Sequence, residues 1–142
     1  MALATVLKPR LRLVRGTTIV LGPGKADLLE AVRETGSLRQ AAAGLGMSYM
    51  RAWTLVKTMN TAFRTPLVAL ERGGARHGGA VLTRAGARAL ALYRAMERKC
   101  IRVSAEDLRK LRALLRPSFA VTSFLPCPQR PGSRSGTSSR PG

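Results

Sequence analysis

Arg51, Thr54 and Lys57 recur at three-residue spacing in the stretch SLRQAAAGLGMSYMRAWTLVKTMNTAF, residues 37–63. On a helix that spacing puts them on one face. Met50, Thr58 and Thr61 join them there, and no acid lies among them. A guanidinium forks onto phosphate or guanine, an ammonium neutralises phosphate, and a hydroxyl meets base edges or backbone oxygens. The chemistry on offer is recognition of a polyanion. The bland alternative is an ordinary solvated face, because any surface helix is amphipathic.

Groups that would break bonds are missing from the pattern. Asp27, Glu30 and Glu34 space out along one helix as a charged face. Cys100, Cys127 and the single histidine, His77, form no ligand spacing. Gly22-Pro23-Gly24-Lys25 lacks the remaining positions of a phosphate-binding loop. With no nucleophile set, acid–base pair or metal set, the expectation is a protein that is not an enzyme and needs no cofactor.

The reading residues require a helix to hold them. Ser37 precedes Gln40 by three, the spacing of a capping box, in which the hydroxyl takes the Gln40 amide and the Gln side chain reaches back. Leu38, Ala41, Ala42 and Leu45 then share a face, and the alanines let another helix come close. Gly44-Leu45-Gly46-Met47 breaks the pattern, glycine supplying the positive φ of a helix end. Ser48 caps a second helix. Its buried face is expected to be Tyr49, Ala52, Trp53, Val56, Met59 or Asn60, and Phe63. Two helices joined by a short glycine-containing turn make a helix-turn-helix, whose second helix enters the DNA major groove.

Composition agrees. Of 142 residues, 25 are Lys or Arg and 7 are Asp or Glu, giving a net charge of +18. Twenty of the cations are arginine. So much self-repulsion points to a polyanionic partner, although an arginine-rich composition also follows from a GC-rich genome. The length suits one compact domain. No run is long enough to span a bilayer and no signal peptide is read, so a reduced, cytoplasmic, nucleoid-associated protein is expected.

Along the chain, Arg10 to Leu21 read as a strand or a short hairpin turning at Gly16. Arg10, Arg12 and Arg15 there either touch phosphate or guard an exposed edge against pairing. A helix follows from Lys25 to Thr35, with Leu28, Leu29 and Val32 inward and Gly36 as its stop. After Phe63, Pro66 turns the chain. Leu67–Arg72 and Ala80–Leu82 read as strands, with a glycine-rich, basic tip holding Arg76 and His77 between them. A hairpin in that position is a wing, and Arg76 could reach the minor groove; a plain flexible loop is the alternative. Thr83 caps a helix from Arg84 to about Val103. Ala89, Tyr93, Met96, Cys100 and Val103 form a seam along it, and after Ser104 the stripe continues through Leu108, Leu111 and Leu115. That stripe is either core or a homodimer seam, and the dimer is favoured because one small domain cannot cover so long a helix. The fold class is therefore mainly α with a small β-hairpin: a winged helix-turn-helix over residues 8–83, then a long C-terminal helical segment over 84–116. Residues 117–142 are a Pro/Arg/Ser-rich tail, disordered from Pro126 on.

Several stretches together resemble the ModE-type regulators, the bacterial molybdate-responsive repressors and activators. Lys25-Ala26-Asp27-Leu28-Leu29-Glu30-Ala31 with Thr35-Gly36-Ser37 is similar to their first helix and turn. Gly46-Met47-Ser48-Tyr49, Ala52-Trp53 and Met59-Asn60 are similar to their recognition helix. Gly73-Gly74, Gly78-Gly79-Ala80-Val81-Leu82-Thr83, Gly86 and Tyr93 are similar to their wing and the helix after it. The likeness covers about residues 8–100. It implies a winged helix-turn-helix related to the LysR-type DNA-binding domain, acting as a dimer on palindromic promoter sites. The family often has a basic residue where Met50 stands, so the resemblance does not carry a base or phosphate contact to that position; Arg51 remains. Full-length members add C-terminal oxyanion-binding domains with no counterpart in these residues. Molybdate sensing does not transfer, and the chain looks like a single-domain member.

The expected function is sequence-specific regulation of transcription through double-stranded DNA. The candidate contact residues are Ser37, Arg39, Gln40, Ser48, Tyr49, Met50, Arg51, Thr54, Lys57, Arg76 and His77. The competing expectations are a nucleoid-like protein without sequence preference and a protein-interaction platform.

Overall fold

The computed structural model describes residues 4–71 and 79–116. Its elements run β1 (Leu13–Arg15), β2 (Thr18–Leu21), α1 (Pro23–Thr35), α2 (Leu38–Gly44), α3 (Tyr49–Ala62), β3 (Val68–Leu70), β4 (Ala80–Leu82), α4 (Arg84–Val103) and α5 (Ala105–Leu114). Strands β1 and β2 form an antiparallel ribbon, turning at Gly16, whose φ is 61°. Strands β3 and β4 form a second antiparallel ribbon, with Val68 opposite Leu82 and Leu70 opposite Ala80. The expected class, mainly α with a small hairpin, is the observed one.

Local chemistry sets most helix ends. Pro23 opens α1, where its fixed φ fits and its missing N–H costs nothing. Gly36 closes it at φ 66°, its N–H donating to Val32 O. The Ser37 hydroxyl accepts the Gln40 N–H at 3.3 Å, but the reciprocal half of the expected capping box is not made. The Ser37 N–H instead donates to Thr35 Oγ1 at 3.4 Å, leaving the Gln40 side chain no donor to reach for. Gly46, at φ 66°, turns the chain between α2 and α3. Ser48 Oγ accepts from Arg51 N, and Thr83 Oγ1 accepts from Gly86 N.

One core joins these elements. Leu28, Leu29 and Val32 of α1 meet Leu38, Ala41 and Ala42 of α2 and Ala52, Val56 and Met59 of α3. Leu67, Val68, Ala80, Leu90 and Tyr93 close it from the hairpin and α4. The alanines leave room for α2 and α3 to pack closely, as their small size requires. Gly86 does the same for α4: a Cβ there would lie 2.1 Å from Leu67 O.

The ribbon β3–β4 is tied down on two sides. Ala80 N donates to Gly36 O at 3.0 Å, and an isolated bridge pairs Ser37 with Gly79. On the other side the Asn60 side chain of α3 bonds the backbone of residues 67 and 68. The hairpin is thus fixed to the start of α2 and the end of α3 together.

Along the C-terminal segment only the first part of the stripe is core. Tyr93 is buried and Ala89 and Cys100 are half-buried, but Met96 is 44% exposed and Val103 79% exposed. The buried residues of α4 are Gly86, Leu90 and Tyr93, all in its first half. The domain is too small to follow the helix further. The helix itself breaks at Ser104, and α5 has no buried residue. Leu45 also differs from expectation: it lies at the end of α2, in the turn, and is 38% exposed. The tail from residue 117, including Cys127, lies outside the described residues.

Candidate nucleic-acid interface

Helix α3 turns Ala52, Val56 and Met59 inward and leaves Met50, Arg51, Thr54, Lys57 and Thr61 exposed. Setting Ala52 as the centre of the buried side, Thr54 and Thr61 sit roughly 160–180° around the helix at about 100° per residue. The outer face is therefore a true opposite face. Its charge is all of one sign, since no Asp or Glu occurs between Glu34 and Glu71.

The sequence expectation for the inner face fails at two aromatics. Tyr49 is 38% exposed and Trp53 is 37% exposed. Trp53 lies about 100° from Ala52, on the flank of the buried stripe. Tyr49 is in the first turn, ahead of the core. Each ring is covered by a cation. The Arg39 guanidinium stands 5.2 Å from the Tyr49 centroid, and Lys57 Nζ stands 5.1 Å from that of Trp53. Such contacts contribute about 0.5–1 kcal/mol at exposed sites. They explain how large rings stay at the surface, and they hold the stems of Arg39 and Lys57 beside α3.

Three threonines on this side use their hydroxyl protons within the helix. Thr54 Oγ1 donates to Met50 O, Thr58 Oγ1 to Thr54 O and Thr61 Oγ1 to Lys57 O, at 2.8–2.9 Å. What they present outward is a methyl group and oxygen lone pairs, so donors on the face come from Arg51 and Lys57.

The start of α2 lies on the same structural unit. Ser37 is half-buried and occupied as a cap, while Arg39 and Gln40 are exposed. Ser48, the cap of α3, is exposed next to Tyr49 and Met50. Nine of the eleven residues singled out from sequence thus fall on α2, α3 or their caps. The other two, Arg76 and His77, lie outside the described residues.

Acids are gathered elsewhere. Arg94 on α4 bonds Asp27 and Glu30 of α1 at 2.8 and 2.7 Å and Glu97 at 3.0 Å. Burial works against its charge, but the three carboxylates outweigh that and raise its pKa. Three of the seven acids are thereby tied to one guanidinium on the α1–α4 side. Among the described residues, no group of three His, Cys, Asp or Glu could hold a metal ion, and no helix is long and apolar enough to cross a membrane.

The stretch read from sequence as a strand or a short hairpin turning at Gly16 is a hairpin, and it lies beside α3. Strand β2 packs against α3, and Arg15 and Thr18 line a cleft together with Thr54 and Lys57.

A three-helix unit, a capped outward helix with an acid-free face and a hairpin anchored to both of its last helices define a winged helix-turn-helix. Residues 25–87 match the family described as bacterial regulatory helix-turn-helix protein, lysR family. Over these residues the chain is similar to that family. It is 43% identical over 77 residues to the molybdenum-pterin-binding protein MopB of Rhodobacter capsulatus, covering 54% of this chain and 28% of that one. It is 41% identical over 71 residues to the DNA-binding transcriptional dual regulator ModE of Escherichia coli, covering 50% of this chain and 27% of that one. The chain therefore spans less than a third of the length of either relative. A solved complex of the CbnR DNA-binding domain with DNA matches with a TM-score of 0.44 at 25% identity, over 66% of this chain and 97% of that chain.

Proposed function

We propose that this chain is a sequence-specific, double-stranded-DNA-binding regulator of transcription, with the outer face of α3 in the major groove. The acid-free face centred on Arg51, Thr54 and Lys57 carries this reading. Arg51 is one turn from the helix start, where base edges are met in this motif. Its guanidinium fits guanine O6 and N7. Met50 and the outward threonine methyls suit thymine methyl groups. Ser37, Arg39, Gln40, Ser48 and Tyr49 hold the backbone at the mouth of the groove, and the wing contact assigned from sequence to Arg76 and His77 completes the set. Because the relatives are molybdenum proteins by name, the target genes are proposed to serve molybdenum metabolism, in the cytoplasm at the nucleoid.

The chain acts as a homodimer in this proposal. Leu92, Met96, Val103, Leu111 and Leu114 are all exposed on α4 and α5. A helix such as α5 with no buried residue has no reason to persist on a lone domain. A second copy across that face would match two half-sites of a palindrome.

Band-shift titration of a selected duplex against a scrambled one, at near-physiological salt, tests the function. A preference of about 10³ or more supports sequence-specific regulation. A smaller ratio favours the alternative that the net charge of +18 also fits, a nucleoid-like protein without sequence preference.

A further inference from the structure

The cleft between the β1–β2 ribbon and α3 plays no part in the contacts proposed so far, apart from the two side chains it shares with them. Its volume is about 560 Å³. Arg15 and Thr18 line one wall, and Thr54, Lys57, Thr58 and Thr61 line the other. Arg15 and Lys57 are exposed, and among the described residues neither is paired with an acid. No carboxylate lines the cleft.

We infer that this cleft seats the sugar–phosphate backbone of the same duplex, so that β1–β2 serves as a second, N-terminal wing with Arg15 as its phosphate contact. The inference rests on the function proposed above. An α-helix about 10–12 Å across nearly fills a major groove about 12 Å wide, so a backbone must run beside it. Thr54 and Lys57 belong both to the reading face and to the cleft, so a strand flanking α3 is carried towards Arg15. The wall chemistry separates this occupant from a small free oxyanion. A small anion is held by several converging donors, whereas Thr54, Thr58 and Thr61 spend their protons on helix carbonyls. What remains is two cations, methyl groups and an open trough, which suits a charged strand with apolar sugar faces.

The test uses the full chain and its Arg15→Ala, Arg15→Glu and Arg15→Lys variants. Affinity is measured over a salt series on the selected duplex and on a scrambled one. Arg15→Ala is expected to weaken both by a similar factor, about three- to tenfold, and to lower the salt slope by about one. Arg15→Glu should weaken binding further, and Arg15→Lys should restore most of it. The base preference from random-pool selection should not change. Wild-type affinity and slope in Arg15→Ala would overturn the inference while leaving the reading helix untouched. So would a rise in the melting temperature of DNA-free protein with millimolar inorganic phosphate that Arg15→Ala abolishes, since that assigns the cleft to a free anion. Failure of the wild-type chain to bind any duplex sinks the proposed function itself, and this inference with it.

Discussion

Asn60 and Val68 exchange hydrogen bonds as two paired strand residues would. Asn60 Nδ2 donates to Val68 O at 2.9 Å, and Asn60 Oδ1 accepts the Val68 N–H at 3.1 Å. The same oxygen takes the Leu67 N–H at 2.8 Å. A side chain near the end of α3 thus acts as an extra strand edge for β3. It fixes where the hairpin stands relative to the helix proposed to read DNA.

Asn60→Ala removes one acceptor and one donor and leaves three part-buried backbone groups short of a partner. A loss of about 2–4 kcal/mol is expected, at about 1–3 kcal/mol per orphaned buried group with partial rescue by water. Urea unfolding measures it. Asn60→Asp keeps the acceptor but sets a carboxylate against Val68 O, and should fall between wild type and alanine.

Gly86 and Leu67 mark the closest approach of α4 to the hairpin. An added Cβ would meet Leu67 O at 2.1 Å and Leu82 Cδ1 at 2.7 Å. The first is backbone and cannot rotate away. Gly86→Ala should therefore lower stability by about 2–3 kcal/mol, despite alanine's better helix propensity. Thermal melts would read this as a clear fall in Tm, and an unchanged or raised Tm would refute the packing described here.

Tyr93 is buried and its hydroxyl donates to Leu11 O at 2.9 Å. This pins the N-terminal segment to α4. Burial, then the Glu97 charge, push its pKa above the ordinary 10.0. The unfolded phenol ionises near 10 while the folded one stays protonated. The stability it contributes is full below pH 10 and is lost as pH rises through the raised value. Tyr93→Phe should cost about 1–2 kcal/mol at neutral pH and should remove that alkaline component. Chemical unfolding between pH 8 and 11 compares the two proteins.

Arg94 joins three carboxylates from two helices but keeps a quarter of its side chain exposed. Arg94→Met leaves Asp27, Glu30 and Glu97 facing one another. Solvent screening limits the loss to about 1–3 kcal/mol, shrinking as salt is raised. A loss independent of salt would mean that packing of the arginine stem, rather than charge, is what matters.

Most of the fold could be read from end signals. Gly36, Ser37, Ser48 and Thr83 each sit where a helix stops or starts, because their conformational or hydrogen-bonding role is local. Periodicity located Ala52, Val56 and Met59 but overextended the stripe to Tyr49 and Trp53. Hydrophobicity alone cannot show that the core beneath α3 is narrow, nor that Arg39 and Lys57 lie over the two rings. The α4 stripe was left between core and dimer seam for a related reason: the pattern continues past Tyr93, while the domain that could cover it does not. Glu97 is a local i+3 partner of Arg94, but Asp27 and Glu30 lie on another helix, up to 67 residues away, and the partners of Asn60 lie in the next strand region, so no helical pattern encodes them. The cleft at Arg15 depends on how a ribbon leans on a helix, which only tertiary structure reveals.

The central claim is that the outward side of α3 reads base sequence. Selection of bound duplexes from a random pool, run in parallel on wild type and Arg51→Ala, tests it most directly. The prediction is a defined consensus for wild type, and for Arg51→Ala a loss of about 1–3 kcal/mol with relaxed preference at one base position. Recovery of the same consensus with the same information at every position would contradict it.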